Sequence, residues 1–248
     1  MIETRKPGRR RPWTRVQGPL RRPFGATDVW LRVAVLAVLG SAPLRAQVVG
    51  EAPPAIAPDS MARTLMVDVR SLDSTIVVEA RYAGTDNFTA AVLPGYTVNR
   101  IYLRREAAEA LARVQLRLRS GGMGLKVFDG YRPVRATRAM VEWARRTGQM
   151  RLIEAGYIAS RSRHNLGLAV DLTLVDWSVG GREVDMGTPY DTFSEAAHYG
   201  NATGRTLRYR QLLRRAMEGE GFRQYEQEWW HYSFEVAGET PAFDMEVE

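Results

Sequence analysis

The chain has 248 residues, 45% of them apolar, which is enough to bury the core of one large domain or two small ones. Its formal net charge of +7 is unevenly distributed, because residues 1–46 hold ten of the 35 basic and two of the 28 acidic side chains. The remaining 25 basic and 26 acidic residues make the rest of the chain nearly neutral, which removes the main support for nucleic-acid binding. The absence of cysteine excludes disulfides and thiolate zinc ligands.

The amino-terminal segment is typical of a secretory signal. An Arg- and Pro-rich stretch over 1–32 precedes the apolar run Val33–Leu39, and small residues follow as far as Ala46. The apolar run is too short for a permanent membrane-spanning helix, so no stable membrane span is expected in the mature form. A retained, disordered basic tail is the alternative, because Arg32 interrupts the apolar stretch.

This pattern predicts three regions: a signal-like basic leader over 1–46, a Pro/Ala linker over 47–60 and one domain over 61–248. A cleaved leader predicts a periplasmic or secreted protein, whereas an uncleaved leader predicts a cytoplasmic one.

Hydrophobic patterning over the domain predicts strands and helices in an irregular order. In chain order, the predicted elements are strands at Thr64–Arg70 and Thr75–Arg81, a helix at Arg104–Arg119, a strand at Leu125–Asp129, a helix from Pro133 to Arg146, a strand at Leu168–Val175, a helix at about 206–220 and a strand at Trp229–Val236. This is not a regular βαβ alternation. We therefore expect a single α+β domain whose central, mainly antiparallel sheet is flanked by helices.

Two short segments hold two of the three histidines in the chain. His164 precedes Asp171 by seven residues, and alternation along the strand Leu168–Val175 places Asp171 on the same face as Ala169 and Thr173. His231 lies in the final strand. Two imidazoles and a carboxylate suit a catalytic zinc site, which keeps a fourth position for water. We expect one Zn²⁺ per chain, bound by His164, Asp171 and His231.

Amide hydrolysis at such a site also needs a general base and a cation beside the developing negative charge. Glu228 is the candidate base. It precedes His231 by three residues, so the two side chains would face opposite ways in a straight strand and the chain must turn near Glu228. Arg132, at a strand-to-helix turn, is the candidate cation. His198 is expected to be a polar loop residue that at most supports the site.

Several ordered motifs resemble the zinc D-Ala-D-Ala metallopeptidases, and among them the D-alanyl-D-alanine dipeptidases, whose metal fold is shared with Hedgehog-type domains. The resemblance covers roughly residues 61–236. The matching segments are Tyr82 with Asp86–Thr89, Tyr96–Arg100, Asp129–Pro133, Ser162–His164, Ala169–Leu174, Met186–Asp191 and Glu228–Tyr232.

The resemblance implies the same three zinc ligands, with Glu228 as the base and Arg132 as the stabiliser of the transition state. It also implies that Tyr82 and Asp191 hold the free ammonium of the substrate and that Ser162 contacts its far end. The implied partner is the small dipeptide D-Ala-D-Ala, hydrolysed to two D-Ala in cell-wall turnover or dipeptide salvage.

Two other functions are compatible with these motifs. A related D,D-carboxypeptidase or L,D-type peptidoglycan peptidase would trim longer peptides. Such an enzyme must leave its binding site open towards the amino end of the substrate, whereas Tyr82 and Asp191 would close it. A non-catalytic, zinc-stabilised binding domain would need neither Glu228 nor Arg132, and both are present.

Overall fold

The computed structural model describes residues 55–238 and 240–248, which hold ten strands and six α-helices. The strands are β1 (Ile56–Ala57), β2 (Met66–Asp68), β3 (Val77–Val78), β4 (Tyr102–Arg104), β5 (Met123–Asp129), β6 (Ala169–Asp176), β7 (Arg182–Glu183), β8 (Phe222–Gln224), β9 (His231–Phe234) and β10 (Ala242–Phe243). The helices are α1 (Asp59–Leu65), α2 (Val69–Leu72), α3 (Arg105–Arg119), α4 (Val134–Arg146), α5 (Met150–Glu154) and α6 (Gly204–Glu218).

The central sheet has the strand order β3-β5-β6-β9-β8, with β7 paired to β6. Every pair is antiparallel except β3 with β5. The exception has a topological cause, since β4 and α3 lie between these two strands in the chain and such a crossover lets them run in the same direction. The predicted α+β fold with a mainly antiparallel sheet is confirmed, and the sheet is mixed at one edge.

Strand β6 is covered on both faces, and all of its residues except Asp176 are buried. Val170, Leu172 and Leu174 pack into a core that also contains the apolar faces of α3 and α6. By alternation, Asp171 and Thr173 project to the opposite face, as the sequence predicts. A second apolar cluster formed by α4, several tyrosines and the carboxyl-terminal residues lies apart from the first.

The three long helices agree with their predicted ranges within two residues at each end. Pro133 is the residue before the first turn of α4 rather than its first helical residue. The amide of Arg135 in that turn donates to the Asp244 carboxylate at 2.7 Å, so a residue from the far end of the chain caps the helix.

The amino-terminal part of the domain differs from the prediction. The segment predicted as a strand over Thr64–Arg70 instead ends α1, forms β2 and starts α2, where the Asp68 side chain accepts from the amide of Arg70 at 2.9 Å. This local cap favours a helix over continued strand. Of the predicted strand Thr75–Arg81, only Val77 and Val78 form β3. The Glu79 amide still bonds to the Val127 carbonyl of β5, and the pairing ends at Ala80, whose amide bonds to the Asn99 side chain instead.

The last residues of the predicted linker, from 55 to 60, include a strand and the start of a helix. β1 pairs in parallel with β10, and α1 starts at Asp59. The predicted leader and the first part of the linker lie outside the described residues. None of the helices within the described ranges has the length and apolar character needed to cross a membrane.

Candidate active site

All eight residues that the sequence analysis assigns to the site line one cavity of about 220 Å³. They come from segments far apart in the chain: Tyr82, Arg132, Ser162, His164, Asp171, Asp191, Glu228 and His231. The structure therefore brings the predicted residues together, and their individual roles stay predictions.

The register of the central sheet places the metal-binding candidates beside one another. Asp171 in β6 is the register partner of His231 in β9 on one side and of Asp129 in β5 on the other. His164 lies in a 3₁₀ turn, Arg163–Leu166, that leads into β6. Ligand atoms of His164, Asp171 and His231 all lie within 4.8 Å of one another.

The ring of His164 is oriented by a backbone carbonyl. Its Nδ1 lies 2.7 Å from the Gly130 oxygen, and since a carbonyl only accepts, Nδ1 carries the proton. The other nitrogen, Nε2, then presents its lone pair to the centre, 3.2 Å from Nδ1 of His231 and 3.4 Å from Oδ2 of Asp171. This is the outer hydrogen bond that typically fixes the tautomer of a metal-ligating histidine.

The charge states of these side chains suit a divalent metal. Burial opposes ionisation of Asp171, but the charges and hydrogen bonds of His164 and His231 hold the pKa of this carboxyl well below its usual range. Burial lowers the pKa of His231, which favours the neutral imidazole. An ionised carboxylate is the form that binds zinc, and a divalent ion can supply the positive charge that stabilises Asp171, so these residues fit the metal.

Glu228 lies in a turn that ends where β9 begins. Its amide donates to the Tyr225 carbonyl at 3.0 Å, and the amide of His231 donates to the Glu228 carbonyl at 3.2 Å. The predicted turn is thus confirmed, and it lets Oε2 of Glu228 lie 4.0 Å from Nδ1 of His231. Burial and the nearby charges of Asp171 and Asp191 raise the pKa of Glu228 well above its usual value.

Arg132 is held by a carboxylate that is fully buried. Its Nε and Nη2 donate to the same oxygen of Asp129 at 2.8 and 2.7 Å, and the Tyr96 hydroxyl donates to the other oxygen at 2.7 Å. The guanidinium lies over the Tyr82 ring and 3.7 Å from Oδ2 of Asp171. Burial opposes the charge of Arg132, but Asp129 keeps its pKa well above the usual value.

Tyr82 and Asp191 form a pair at one end of the cavity. The Tyr82 hydroxyl lies 3.1 and 3.2 Å from the two carboxylate oxygens of Asp191. Burial, with the charge of Asp171, raises the pKa of Asp191 to about 8. A cation bound beside Asp191 would favour the ionised form of this carboxyl.

The remaining predicted residues have more local contacts. The Ser162 hydroxyl accepts from the amide of His164 at 3.2 Å, so it caps the 3₁₀ turn as well as lining the cavity. His198 does not line the cavity. Its Nε2 lies 2.8 Å from the hydroxyl of Tyr157, which does.

Three residues at the site were given no role by the sequence analysis. Asp129 and Tyr190 lie inside two of the segments that carry the family resemblance, close in sequence to Arg132 and Asp191. This closeness was the sequence signal that could have identified them. Arg210 had no such signal. It is buried in α6, and its guanidinium donates to the carbonyls of Met186 and His198 at 2.9 and 2.6 Å, thereby fixing both ends of the segment that carries Asp191.

The chain is similar to one protein family along most of its length. The sequence profile of a family described as D-ala-D-ala dipeptidase matches residues 62–245. A D-alanyl-D-alanine dipeptidase of Enterococcus faecium is 38% identical over 170 residues, which cover 62% of this chain and 83% of the relative. One of Streptomyces coelicolor is 34% identical over 180 residues, or 66% of this chain and 89% of the relative.

A solved structure of the vancomycin resistance D,D-dipeptidase VanXYg, in complex with a D-Ala-D-Ala phosphinate analog, is 18% identical in sequence. It aligns over 68% of this chain and 66% of that chain, with a TM-score of 0.38.

The Asp129–Arg132 pair yields a prediction for stability. Asp129→Asn keeps the shape of the side chain but leaves the buried guanidinium without its charged partner, so we expect the free energy of unfolding to fall by about 3–5 kcal/mol. Urea denaturation measures this loss. Asp86→Asn is the matched control, because the 92% exposed Asp86 side chain also pairs with an arginine, Arg81; its expected cost is below about 1 kcal/mol. Equal, small losses in both variants would contradict the prediction.

Proposed function

The chain belongs to the D-Ala-D-Ala dipeptidase family and is a zinc metallopeptidase that hydrolyses D-Ala-D-Ala; from this premise we propose which residues carry the reaction and where it takes place. The observation that carries the assignment is the convergence of His164, Asp171 and His231 in the cavity that also holds Glu228 and Arg132.

Charge balance supports a metal at this position. The buried charged groups beside the cavity are the carboxylates of Asp129, Asp171 and Glu228 and the guanidinium of Arg132. Carboxyl groups outnumber the guanidinium, and the raised pKa of Glu228 reflects how unfavourable a further negative charge is in this buried site unless a cation compensates it. A divalent ion held by His164, Asp171 and His231 would do so. When bound, zinc supplies a Lewis acid that polarises a carbonyl and strengthens water as a nucleophile.

Glu228 is proposed as the general base. Its raised pKa makes it a better proton acceptor than an exposed carboxylate, and it can later pass the proton to the leaving amine. Arg132 is proposed to stabilise the negative charge that develops on the carbonyl oxygen of the substrate. The bonds to Asp129 fix the guanidinium beforehand, so it needs little rearrangement during the reaction.

Tyr82 and Asp191 are proposed to bind the free ammonium of the dipeptide, and Ser162 its far end. A cavity of about 220 Å³ lies below the ~300–1,000 Å³ that is common for ligand clefts, which suits a small substrate. The ammonium would pair with the Asp191 carboxylate. A peptide blocked at its amino end offers no such charge and would leave Asp191 without a positively charged partner, so the pair selects for a substrate with a free amino group.

A substrate panel tests this function. Zinc-loaded protein is incubated with D-Ala-D-Ala, N-acetyl-D-Ala-D-Ala, L-Ala-L-Ala and a stem pentapeptide, and released alanine is measured. We expect alanine from D-Ala-D-Ala and at least ~100-fold lower kcat/KM for the acetylated form, which corresponds to about 2.7 kcal/mol. Efficient cleavage of the pentapeptide or the acetylated form would instead support a carboxypeptidase, and no cleavage at all would support a binding domain.

Replacing the proposed base separates catalysis from metal binding. We expect Glu228→Gln to bind zinc as the unmodified protein does while kcat falls about 10²–10⁴-fold, because only proton transfer is lost. The comparison needs kcat for D-Ala-D-Ala and the zinc content of each protein. Glu226→Gln is the control, since this nearby glutamate forms a surface pair with Arg214 at 2.9 Å. Near-normal kcat in Glu228→Gln would place the base elsewhere.

We also propose that the enzyme is exported and acts in cell-wall turnover or dipeptide salvage. The support comes from the sequence: the basic excess is confined to residues 1–46, and the apolar run Val33–Leu39 has the length of a signal segment. We expect the protein from fractionated cells to be periplasmic or secreted and to begin near Gln47. Amino-terminal sequencing checks this. An intact amino terminus in the cytosolic fraction would contradict export.

A further inference from the structure

The hydroxyl of Tyr190 lies between two parts of the site that have different roles in the proposed function. It is 3.0 Å from Oδ2 of Asp171, a proposed zinc ligand, and 3.0 Å from the hydroxyl of Tyr82, which faces the proposed ammonium position. Tyr190 therefore contacts both a proposed zinc ligand and a proposed substrate-binding residue.

The ring of Tyr190 is fixed by other aromatic side chains. It stacks on Phe128 with ring centroids 4.7 Å apart and an interplanar angle of 22°, and it meets the edge of Trp230 at 5.4 Å and 77°. Both neighbours are buried in the core. Because the ring is packed on two sides, its hydroxyl is held in one position. This packing offsets the conformational entropy that the side chain loses when it is ordered.

The backbone beside Tyr190 explains how two adjacent side chains both contact residues of the site. Successive side chains of an extended segment face opposite ways. Here Asp191 has a φ of 59°, in the left-handed region that few residues other than glycine, asparagine and aspartate adopt. This bend lets Tyr190 reach Asp171 while Asp191 reaches Tyr82. The clamp of Arg210 on both ends of the segment holds the bend in place.

The two carboxylate oxygens of Asp171 have different neighbours. Oδ1 lies 2.9 Å from Nδ1 of His231, whereas Oδ2 lies beside Tyr190. A phenol has one proton to donate and lone pairs that accept. Tyr82 donates its own proton to Asp191, so Tyr190 shares its proton between Oδ2 of Asp171 and the oxygen of Tyr82. The first bond fixes the plane of the Asp171 carboxylate and the second fixes the Tyr82 hydroxyl.

We propose that Tyr190 is a positioning residue that orients Asp171 for zinc and Tyr82 for the substrate ammonium, so that one phenol sets both affinities. This inference rests on the proposed function of Asp171 and Tyr82. It assigns to Tyr190 no contact with the metal or with the reacting atoms.

The test is Tyr190→Phe, which removes the hydroxyl and keeps the ring between Phe128 and Trp230. Loss of a partner that orients a metal ligand typically weakens metal binding by ~10–100-fold, and we expect a rise of that size in the zinc dissociation constant. Competition with a chromophoric chelator measures it without reference to activity. At saturating zinc, we expect KM for D-Ala-D-Ala to rise by more than kcat falls. A urea unfolding curve of the zinc-free protein shows whether the fold is retained.

Two further variants separate the two halves of the proposal. Tyr82→Phe should raise KM while changing the zinc dissociation constant by less than Tyr190→Phe does. The effects of the two substitutions on KM should be less than additive in the double variant, because both disrupt one chain of contacts. Tyr209→Phe, on α6 and away from the cavity, should change neither quantity.

An unchanged zinc dissociation constant in Tyr190→Phe would overturn the inference, as would full additivity of the two KM effects. Asp171→Ala distinguishes this failure from failure of the proposed function. If Asp171→Ala loses zinc while Tyr190→Phe does not, only the role of Tyr190 is wrong. If Asp171→Ala retains both zinc and hydrolysis, the ligand assignment itself is wrong.

Discussion

The ionised carboxylate of Asp171, buried in the most enclosed strand of the sheet, is the feature on which the site depends. A buried carboxylate is unfavourable unless it is paired, and here the register of β5, β6 and β9 brings His231 to one side while His164 enters from the preceding turn. The same strand packs Val170, Leu172 and Leu174 into the main core. A shift of one residue would exchange the two faces, so core packing and site geometry fix the same register.

The charges around the cavity form a connected set rather than separate pairs. Asp129 holds Arg132, which in turn lies close to Asp171, and the tyrosines Tyr96, Tyr82 and Tyr190 link the carboxylates to one another. Burial, together with the charges of neighbouring carboxylates, raises the pKa values of Glu228 and Asp191. Zinc and a substrate ammonium are the charges that such a cavity is suited to receive, which unites metal binding and substrate selection in one electrostatic arrangement.

Local sequence signals predicted the long elements well. α3, α4 and α6 have apolar residues at helical spacing, and β6 alternates clearly, so each preference agrees with the final fold. The secondary structure of the segments before α3 was predicted less accurately, because it depends on pairing with strands from other parts of the chain. β2 pairs only with β4, and β1 pairs with β10 from the other end of the domain. Short strands of this kind have little intrinsic preference and form where a partner is available.

The sequence by itself determined the chemical types at the site. Two histidines and an aspartate predicted a metal, and the three-residue spacing of Glu228 and His231 required a turn, because side chains alternate along a strand. Only the tertiary structure decided what surrounds them. The Tyr96 hydroxyl beside Asp129, the Tyr190 hydroxyl beside Asp171 and the contacts of Arg210 join segments distant in the chain. No local pattern encodes such contacts, since they arise only when the sheet register and the core packing bring those segments together.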